Sequence, residues 1–224
     1  MSRKAALRLT VYLAGLMLLA LGLTLNVKPD LGVSPIISSA NVFSATLPCP
    51  IGDATFVLYS LFVLAEMAIH LVIWRRRKEG SIARRLVMDM LQLPLSLVFT
   101  RVMNLFEAAI PTFTGMGGRL VILAAAIICT GLGAAMSLDM RLIPNPGDGF
   151  VQSLADLTGR ETGLMKNIVD GVSVALALTL GLCLSGTVVG VGVGTILAFL
   201  FVGRVIALFN RSFGGRLSGL TEGE

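Results

Sequence analysis

Long apolar runs, separated by short polar segments, set the pattern of this chain. Six of these runs are long enough to cross a bilayer as a helix, which takes about 20 residues. The runs cover roughly residues 9–27, 52–74, 86–110, 120–138, 164–184 and 188–210. The pattern predicts an all-α, polytopic membrane protein with six transmembrane helices.

Two segments between the runs are too polar and too interrupted to cross. A Ser-Pro pair ends at Pro35, and an Asn-Pro pair ends at Pro146. A capping side chain followed by proline at the first helical position is typical of a helix start. We therefore expect short helices over residues 35–47 and 146–158. The sequence allows either a re-entrant or an interfacial placement for both.

The second half of the chain repeats the first at a spacing of 111 residues. Leu21-Gly22 matches Leu132-Gly133, and the two prolines of the short helices match each other. Each unit, residues 1–110 and residues 119–224, holds three predicted spans. Since three is odd, the second unit enters the membrane from the opposite side. The sequence thus predicts a single membrane domain built as a 3+3 inverted-topology repeat, an architecture of many secondary transporters.

Charge is scarce and sits mainly in the short connecting segments. The chain is 55% hydrophobic and 14% charged, whereas a soluble domain is about 25% charged. Residues 75–85 carry six Arg or Lys side chains, and short basic loops stay in the cytoplasm. Both termini then lie in the cytoplasm as well. The net charge of +5 follows from topology, so we expect the lipid bilayer and no nucleic acid as a partner.

Two arginines occupy equivalent places within predicted spans. After a shorter loop the repeat spacing becomes 103 residues, which aligns Arg101 with Arg204. An arginine in the membrane core costs about 2.5–3.5 kcal/mol, so such side chains usually face an interior or a cavity. Both are candidates for binding an anionic group of a small solute. The alternative is that each snorkels to lipid headgroups from its place near a helix end.

We call the two interrupted segments that begin their short helices at Pro35 and Pro146 the first and second breaks. The second break and the helix after it supply further candidate binding residues. Asp148 is the third residue of the second short helix, where it either complements the helix dipole or binds a proton or cation. Lys166 and Asp170 are four residues apart and share a helix face, as part of a site or as a structural ion pair. With Pro35 and Pro146, these residues are the candidate solute contacts around the two breaks.

A further polar group falls on the second and third predicted spans. Glu66 and His70 are four residues apart, and His70 is the only histidine of the chain. Histidine titrates near neutral pH, so this pair, together with Asp89, is a candidate proton or ion relay. The alternatives are that Glu66 and His70 pack at a helix interface and that Asp89 pairs with Arg85.

A run of alternating glycines ends at Thr195 and opens the sixth predicted span. A phosphate-binding loop is excluded, because no strand precedes the run and no Lys-Ser or Lys-Thr pair follows it. Small residues here let another backbone approach closely, and Thr195 is a candidate solute contact. The sequence contains no catalytic constellation, and a single histidine makes a metal cluster unexpected. We therefore predict no enzyme, no cofactor and no metal.

The residues that carry a family resemblance lie around the two breaks. They are Leu-Gly-Leu-Thr-Leu-Asn-Val-Lys-Pro-Asp-Leu-Gly-Val-Ser-Pro35, Pro-Gly-Asp-Gly149, Lys166 and Gly-Val-Gly-Val-Gly-Thr195. In their order and spacing, the chain resembles the YczE/YitT-like bacterial membrane proteins over nearly its whole length. The resemblance implies a bacterial cytoplasmic membrane and a role related to transport, without an assigned reaction. Family members often carry an aspartate where this chain has Ile36-Ile37-Ser38. The resemblance therefore does not imply an acidic residue in the first half that matches Asp148 in the second.

The functional hypothesis is a secondary transporter or permease for a small solute, with an anionic solute as one option. Its two repeats would expose a site between them to each side in turn. The alternative is a non-transporting accessory or scaffold protein, which the sparse buried polarity favours. A polar cavity would favour the transporter, and a closed, dry interface the scaffold. A membrane enzyme ranks last, and a homo-oligomer fits the thin bundle that six helices make.

Overall fold

Helices make up nearly all of the chain that the computed structural model describes, which is residues 3–78, 81–112 and 115–221. No strand occurs within those ranges. The helices are α1 (Arg3–Val27), α2 (Ser38–Thr46), α3 (Ile51–Arg77), α4 (Ile82–Ala109), α5 (Met116–Asp139), α6 (Pro146–Thr158), α7 (Thr162–Ser185) and α8 (Val193–Thr221), and a 3-10 turn (Pro35–Ile37) precedes α2.

Six of these helices are long and apolar enough to cross a membrane. They are α1, α3, α4, α5, α7 and the part of α8 over Val193–Phe213. Many of their large apolar side chains, such as Val57, Val121 and Leu208, are more than half exposed on the outside of the bundle. An apolar exterior of this kind suits contact with lipid. Within the described ranges, the predictions of an all-α protein and of six helices long and apolar enough to span a membrane are confirmed.

The two short helices differ in how closely they follow their predicted bounds. The first is a 3-10 turn that passes into α2 and ends at Thr46, one residue before the predicted end. The second runs from Pro146 to Thr158, as the cap-and-proline pattern predicts. Its cap is made, because the Asn145 side chain accepts a hydrogen bond from the Gly147 N–H at 3.1 Å.

The last long helix begins later than the apolar run predicts, at Val193 instead of residue 188. The residues before it bond to the segment that follows α1. The Val33 N–H donates to the Gly190 carbonyl at 2.9 Å, and the Gly194 N–H donates to the Leu31 carbonyl at 2.6 Å. These bonds use backbone groups that a longer helix would need for itself. Close backbone approach, the predicted role of the glycine run, is therefore what the glycines provide.

Glycines also bring α1 and α5 together at the centre of the bundle. A Cβ on Gly15 would lie 2.8 Å from the Ser137 nitrogen, and a Cβ on Gly22 would collide with the Thr130 nitrogen. Because the earlier glycine of α1 meets the later residue of α5, the two helices run antiparallel. Both positions require glycine, because the nearest atom that a Cβ would meet belongs in each case to the backbone of α5 and not to a movable side chain.

The remaining helices are arranged around this central pair. α1 also packs on α4, and α5 also packs on α8. The short helix α2 packs on α3 and α7, and α6 packs on the same two helices. α3 and α4 lie side by side, whereas α7 and α8 make at most a marginal contact in the described ranges.

The long helices alternate in direction, so their ends form two opposite faces. We call one the basic face, because it carries the N-terminal end of α1, the end of α3, the start of α4 and most of the basic side chains among the described residues. The α6 helix lies on this side, since it follows the end of α5. The α2 helix lies on the other side, which we call the opposite face.

Candidate functional site

The first turns of the two broken segments meet near the centre of the bundle. A Cβ on Gly147 would lie 3.1 Å from Ile36 Cγ1, so the starts of α6 and of the 3-10 turn are in contact. The Ser38 hydroxyl, 0% exposed, donates to the Pro35 carbonyl at 2.6 Å and lies 3.1 Å from the Ser173 carbonyl of α7. Two helix starts thus converge from opposite faces, with the positive ends of their dipoles directed inward.

A small cavity of about 60 Å³ lies where the breaks meet, and we call it the central cavity. A water molecule occupies about 30 Å³ in the liquid, so the cavity has room for one or two waters or a small ion. Four pairs of its lining residues are 111 positions apart: Leu19 and Thr130, Leu23 and Ala134, Ser34 and Asn145, Ile36 and Gly147. The two halves of the chain therefore contribute matching positions to its wall.

A larger cavity of about 410 Å³ lies beside the central cavity, and we call it the basic-face cavity. Residues of α3, α5, α6, α7 and α8 line it, Gln152 and Thr162 among them. Its volume is in the range of small-molecule binding sites, about 300–1,000 Å³. Asp148, Lys166 and Ile206 line both cavities. One carboxylate and one ammonium group therefore stand where the two cavities meet.

Asp148 lies in the first turn of α6 and is half-buried. Burial raises the pKa of the Asp148 carboxyl above its ordinary value, and the positive charge of Lys166 opposes that shift. Burial acts in this direction because a low-dielectric surrounding disfavours the charged form. The Asp148 carboxyl therefore holds a proton to higher pH than an exposed aspartate does.

Lys166 also forms the predicted ion pair with Asp170. The Lys166 ammonium is 3.6 Å from Asp170 Oδ2, and Asp170 is 5% exposed. The other oxygen, Asp170 Oδ1, accepts no hydrogen bond from the residues that the structure describes. The same lysine thus reaches a buried carboxylate on its own helix and the two cavities.

A groove of about 360 Å³ opens between α7 and α8, and it brings three predicted residues together. Pro35, Asp170 and Thr195 all line it. The Thr195 hydroxyl holds the preceding loop, since it accepts from the Gly192 N–H at 3.2 Å and lies 3.4 Å from the Gly190 carbonyl. Thr195 thus has a local structural role whether or not it meets a solute.

The two arginines that the predicted repeat aligns do not line any of these three cavities. Arg101 pairs with Asp53 at 2.7 Å, and both side chains are more than a third exposed. Asn104 donates to the same Asp53 oxygen at 2.9 Å, so these residues tie the start of α3 to α4. The Arg204 guanidinium lies 5.3 Å above the centre of the Phe201 ring and is exposed. Their predicted role in anion binding stays a prediction.

The relay candidates on α3 and α4 are brought together, but with other partners than the spacing predicts. His70 Nδ1 is 2.8 Å from Asp89 Oδ2, so Asp89 contacts His70 and not Arg85, whose side chain is exposed. Glu66 accepts a hydrogen bond from Gln92 Nε2 at 3.0 Å. We call these four residues (Glu66, His70, Asp89 and Gln92) the polar cluster. Glu66 and His70 also line the basic-face cavity.

Gln92 is not among the candidate residues predicted from the sequence. The sequence also did not predict that Glu66, His70 and Asp89 come close enough together to hold a metal ion. The signal was present, because Gln92 follows Asp89 by three residues and so shares its helix face. The cluster also touches the second break. A Cβ on Gly149 would lie 2.7 Å from Glu66 Oε2, so the carboxylate rests against the first turn of α6.

The fold and these cavities define an all-helical, multi-pass membrane protein with polar side chains gathered around two broken segments. The chain belongs to a family of unknown function, DUF6198, which matches residues 6–211. The match thus runs from α1 into α8 and includes both breaks. No curated protein and no solved structure matches the chain.

Proposed function

We propose that this protein is a small-solute secondary transporter of a bacterial cytoplasmic membrane, with both termini in the cytoplasm. Its two halves would form a 3+3 inverted repeat and expose a site between them alternately. The observation that carries the proposal is the central cavity, which lies where two helix starts converge and has matching positions of both halves in its wall. Broken helices that meet at a central site are typical of secondary transporters.

Contacts between the halves support the inverted repeat. The Arg8 guanidinium donates to the carbonyls of Met140 and Arg141 just after α5, the latter at 3.2 Å. Arg119, 111 positions after Arg8, donates to the Asp30 carbonyl at 2.8 Å and to the carbonyl before it, just after α1. Asp30 and Arg141 are also 111 positions apart and have left-handed backbones, with φ of 51° and 48°.

The helix packing supports the same relation. A Cβ on Gly22 would meet the Thr130 nitrogen, and a Cβ on Gly133 would meet the Leu19 nitrogen. Adding 111 to the residue number on α1 and subtracting 111 from that on α5 turns the first contact into the second. In the proposed repeat, α1, α2, α3 and α4 correspond to α5, α6, α7 and α8. The α1–α4, α2–α3 and α3–α6 contacts then correspond to α5–α8, α6–α7 and α7–α2, and all six contacts are present.

One difference between the halves suggests how the transporter would work. α3 packs along α4, and Arg101, Asp53 and Asn104 fasten that pair near the opposite face. The equivalent helices α7 and α8 stand apart, with the groove between them. We propose that this conformation is open to the basic face, and that the other conformation closes α7 on α8 and separates α3 from α4.

The charges around the basic-face cavity suggest separate roles for a solute and a coupling ion. Lys166 is the cation at its junction with the central cavity, so we propose that it binds an anionic group of the solute. Asp148 stands beside it with a raised pKa, which suits a carboxyl that binds and releases a proton. Occupation of both positions would favour the change between the two conformations.

The test is uptake into liposomes that contain the purified protein. We expect saturable uptake of a small carboxylate or phosphate compound that rises with an imposed proton gradient and falls when Lys166→Met is used. Asp156→Asn is the matched control, because Asp156 lies on α6 with an exposed side chain. Absence of uptake for every small anion, under proton and sodium gradients in both directions, would contradict the proposal.

A non-transporting accessory or scaffold protein is the second candidate. The size of the central cavity favours it, because about 60 Å³ is too small for most solutes. Membership of the YczE/YitT-like proteins belongs with the proposal as well, since it rests on the motifs around the breaks. A homo-oligomer also stays a prediction.

A further inference from the structure

The polar cluster places two carboxylates and an imidazole together inside the bundle. One ligand atom from each of Glu66, His70 and Asp89 lies within 4.8 Å of the other two. Glu66 and Asp89 are each 3% exposed, and His70 is half-buried. α3 supplies Glu66 and His70, and α4 supplies Asp89, so the packing of two neighbouring helices creates the group.

The charge of this group is not balanced by nearby basic residues. With a neutral imidazole, the two carboxylates carry two negative charges, and a protonated His70 would leave one of them. Within the described ranges, no lysine or arginine forms an ion pair with Glu66 or Asp89. Burial of uncompensated carboxylates is costly, and either a proton on one carboxyl or a bound cation removes that cost.

Gln92 gives a second and independent indication of a ligand. Its side chain is 1% exposed, and its amide nitrogen donates to Glu66 at 3.0 Å. Its amide oxygen, Oε1, is buried and accepts no hydrogen bond from any residue that the structure describes. A buried amide oxygen normally has a partner, and metal ions use such oxygens as ligands.

We propose that the polar cluster is a binding site for one divalent cation of the first transition series. Glu66 and Asp89 would each supply a carboxylate oxygen, His70 a ring nitrogen and Gln92 its amide oxygen. A charge of +2 balances the two carboxylates with His70 neutral. A mixed nitrogen and oxygen set suits Mn²⁺, Fe²⁺ or Zn²⁺ better than Mg²⁺, which prefers oxygen alone.

The ion would reach the site from the basic-face cavity, since Glu66 and His70 both line it. It would lie beside the second break, because the Glu66 carboxylate rests against Gly149. Binding would therefore hold α3, α4 and α6 together and favour this conformation over the one in which α3 separates from α4. The site does not depend on solute transport, and it would serve a scaffold protein equally well.

The experiment uses full-length protein without a polyhistidine tag, purified in detergent and treated with a chelator. Calorimetry with Zn²⁺ and electron paramagnetic resonance with Mn²⁺ should each give one site per chain, and millimolar Mg²⁺ should not displace either ion. Loss of a ligand should weaken binding by at least the roughly 10–100-fold seen when a supporting residue is lost. Glu66→Gln and His70→Asn should therefore both bind at least about 10-fold more weakly.

Two further variants make the result specific. Gln92→Leu removes the amide oxygen and should weaken binding in the same direction, whereas Asp156→Asn should bind as the unaltered protein does. Monodisperse elution from a sizing column shows that each variant is folded. The proposal is overturned if neither ion binds to the unaltered protein, or if folded Glu66→Gln and His70→Asn bind as tightly as it does.

Discussion

Asp148→Asn should abolish proton-driven uptake and at the same time make the protein more stable at neutral pH. Burial raises the pKa of Asp148 in the folded protein above the ordinary value of 3.8, against the opposing charge of Lys166. Below 3.8 the carboxyl is protonated in both states and contributes no difference. As the pH rises through the window between the unfolded and folded pKa values, the folded protein loses stability from this group. Asparagine carries no charge and removes that loss.

The measurement is the unfolding temperature of both proteins from pH 4 to pH 8, alongside uptake into liposomes. The difference in favour of the variant should grow with pH, while its uptake falls to that of empty liposomes. The exposed Asp156→Asn on the same helix should show neither change. An equal difference at every pH, or uptake that survives the substitution, would show that Asp148 has no such role.

Gly22→Ala and Gly133→Ala should each destabilise the protein strongly and by similar amounts. In both positions a Cβ would collide with a backbone nitrogen of the partner helix, Thr130 in one case and Leu19 in the other. Overpacking of a close interface costs about 1–3 kcal/mol. The two costs should match because the two contacts are related by the proposed exchange of the halves.

Gly203→Ala is the matched control for these substitutions. Gly203 lies within α8, and beyond its chain neighbours and the adjoining backbone of that helix no described heavy atom would lie within 4 Å of its Cβ. There the substitution should stabilise the helix by about 0.5–1 kcal/mol, since alanine loses less entropy. Unfolding curves of the three variants give the comparison. A neutral Gly22→Ala, or a large difference between Gly22 and Gly133, would argue against the two-fold relation at the centre.

Local signals in the sequence predict most of the helices, because where these helices form depends on residues that are close together in the chain. Length and hydropathy indicate the six spans, since a bilayer sets how long an apolar helix must be. The Asn145-Pro146 pair predicts the start of α6, because the cap and the proline act on the first turn alone. The first short helix lacks a side-chain cap bond, and it starts as a 3-10 turn.

The start of α8 could not be predicted from hydropathy. Residues 188–192 are as apolar as a spanning helix, and the reason that they are not helical lies more than 150 positions away. Their backbone bonds to the segment around Val33, and that pairing depends on how α1 and α8 are placed. A pattern confined to one segment contains no information about such a partner.

Most residues of the candidate site were predictable, with Gln92 as the exception, whereas their contacts were not. Spacing along one helix predicts Lys166 with Asp170, and this pair is present. The same rule predicts Arg85 with Asp89, but the packing of α3 on α4 offers Asp89 a histidine instead. A buried carboxylate takes the partner that tertiary packing supplies, so neighbours on one helix are only one possibility.

The most direct test of alternating access at the central cavity is the reactivity of a thiol introduced by Ser34→Cys, in a chain whose three free cysteines are replaced. Ser34 lines the central cavity, whereas Ala40 is buried outside it and provides the control variant Ala40→Cys. With a reagent that does not cross membranes, alternating access predicts labelling of the Ser34 position from either side and none at Ala40. A Ser34 position that stays unlabelled from both sides, in folded protein, would contradict it and indicate a closed, dry interface.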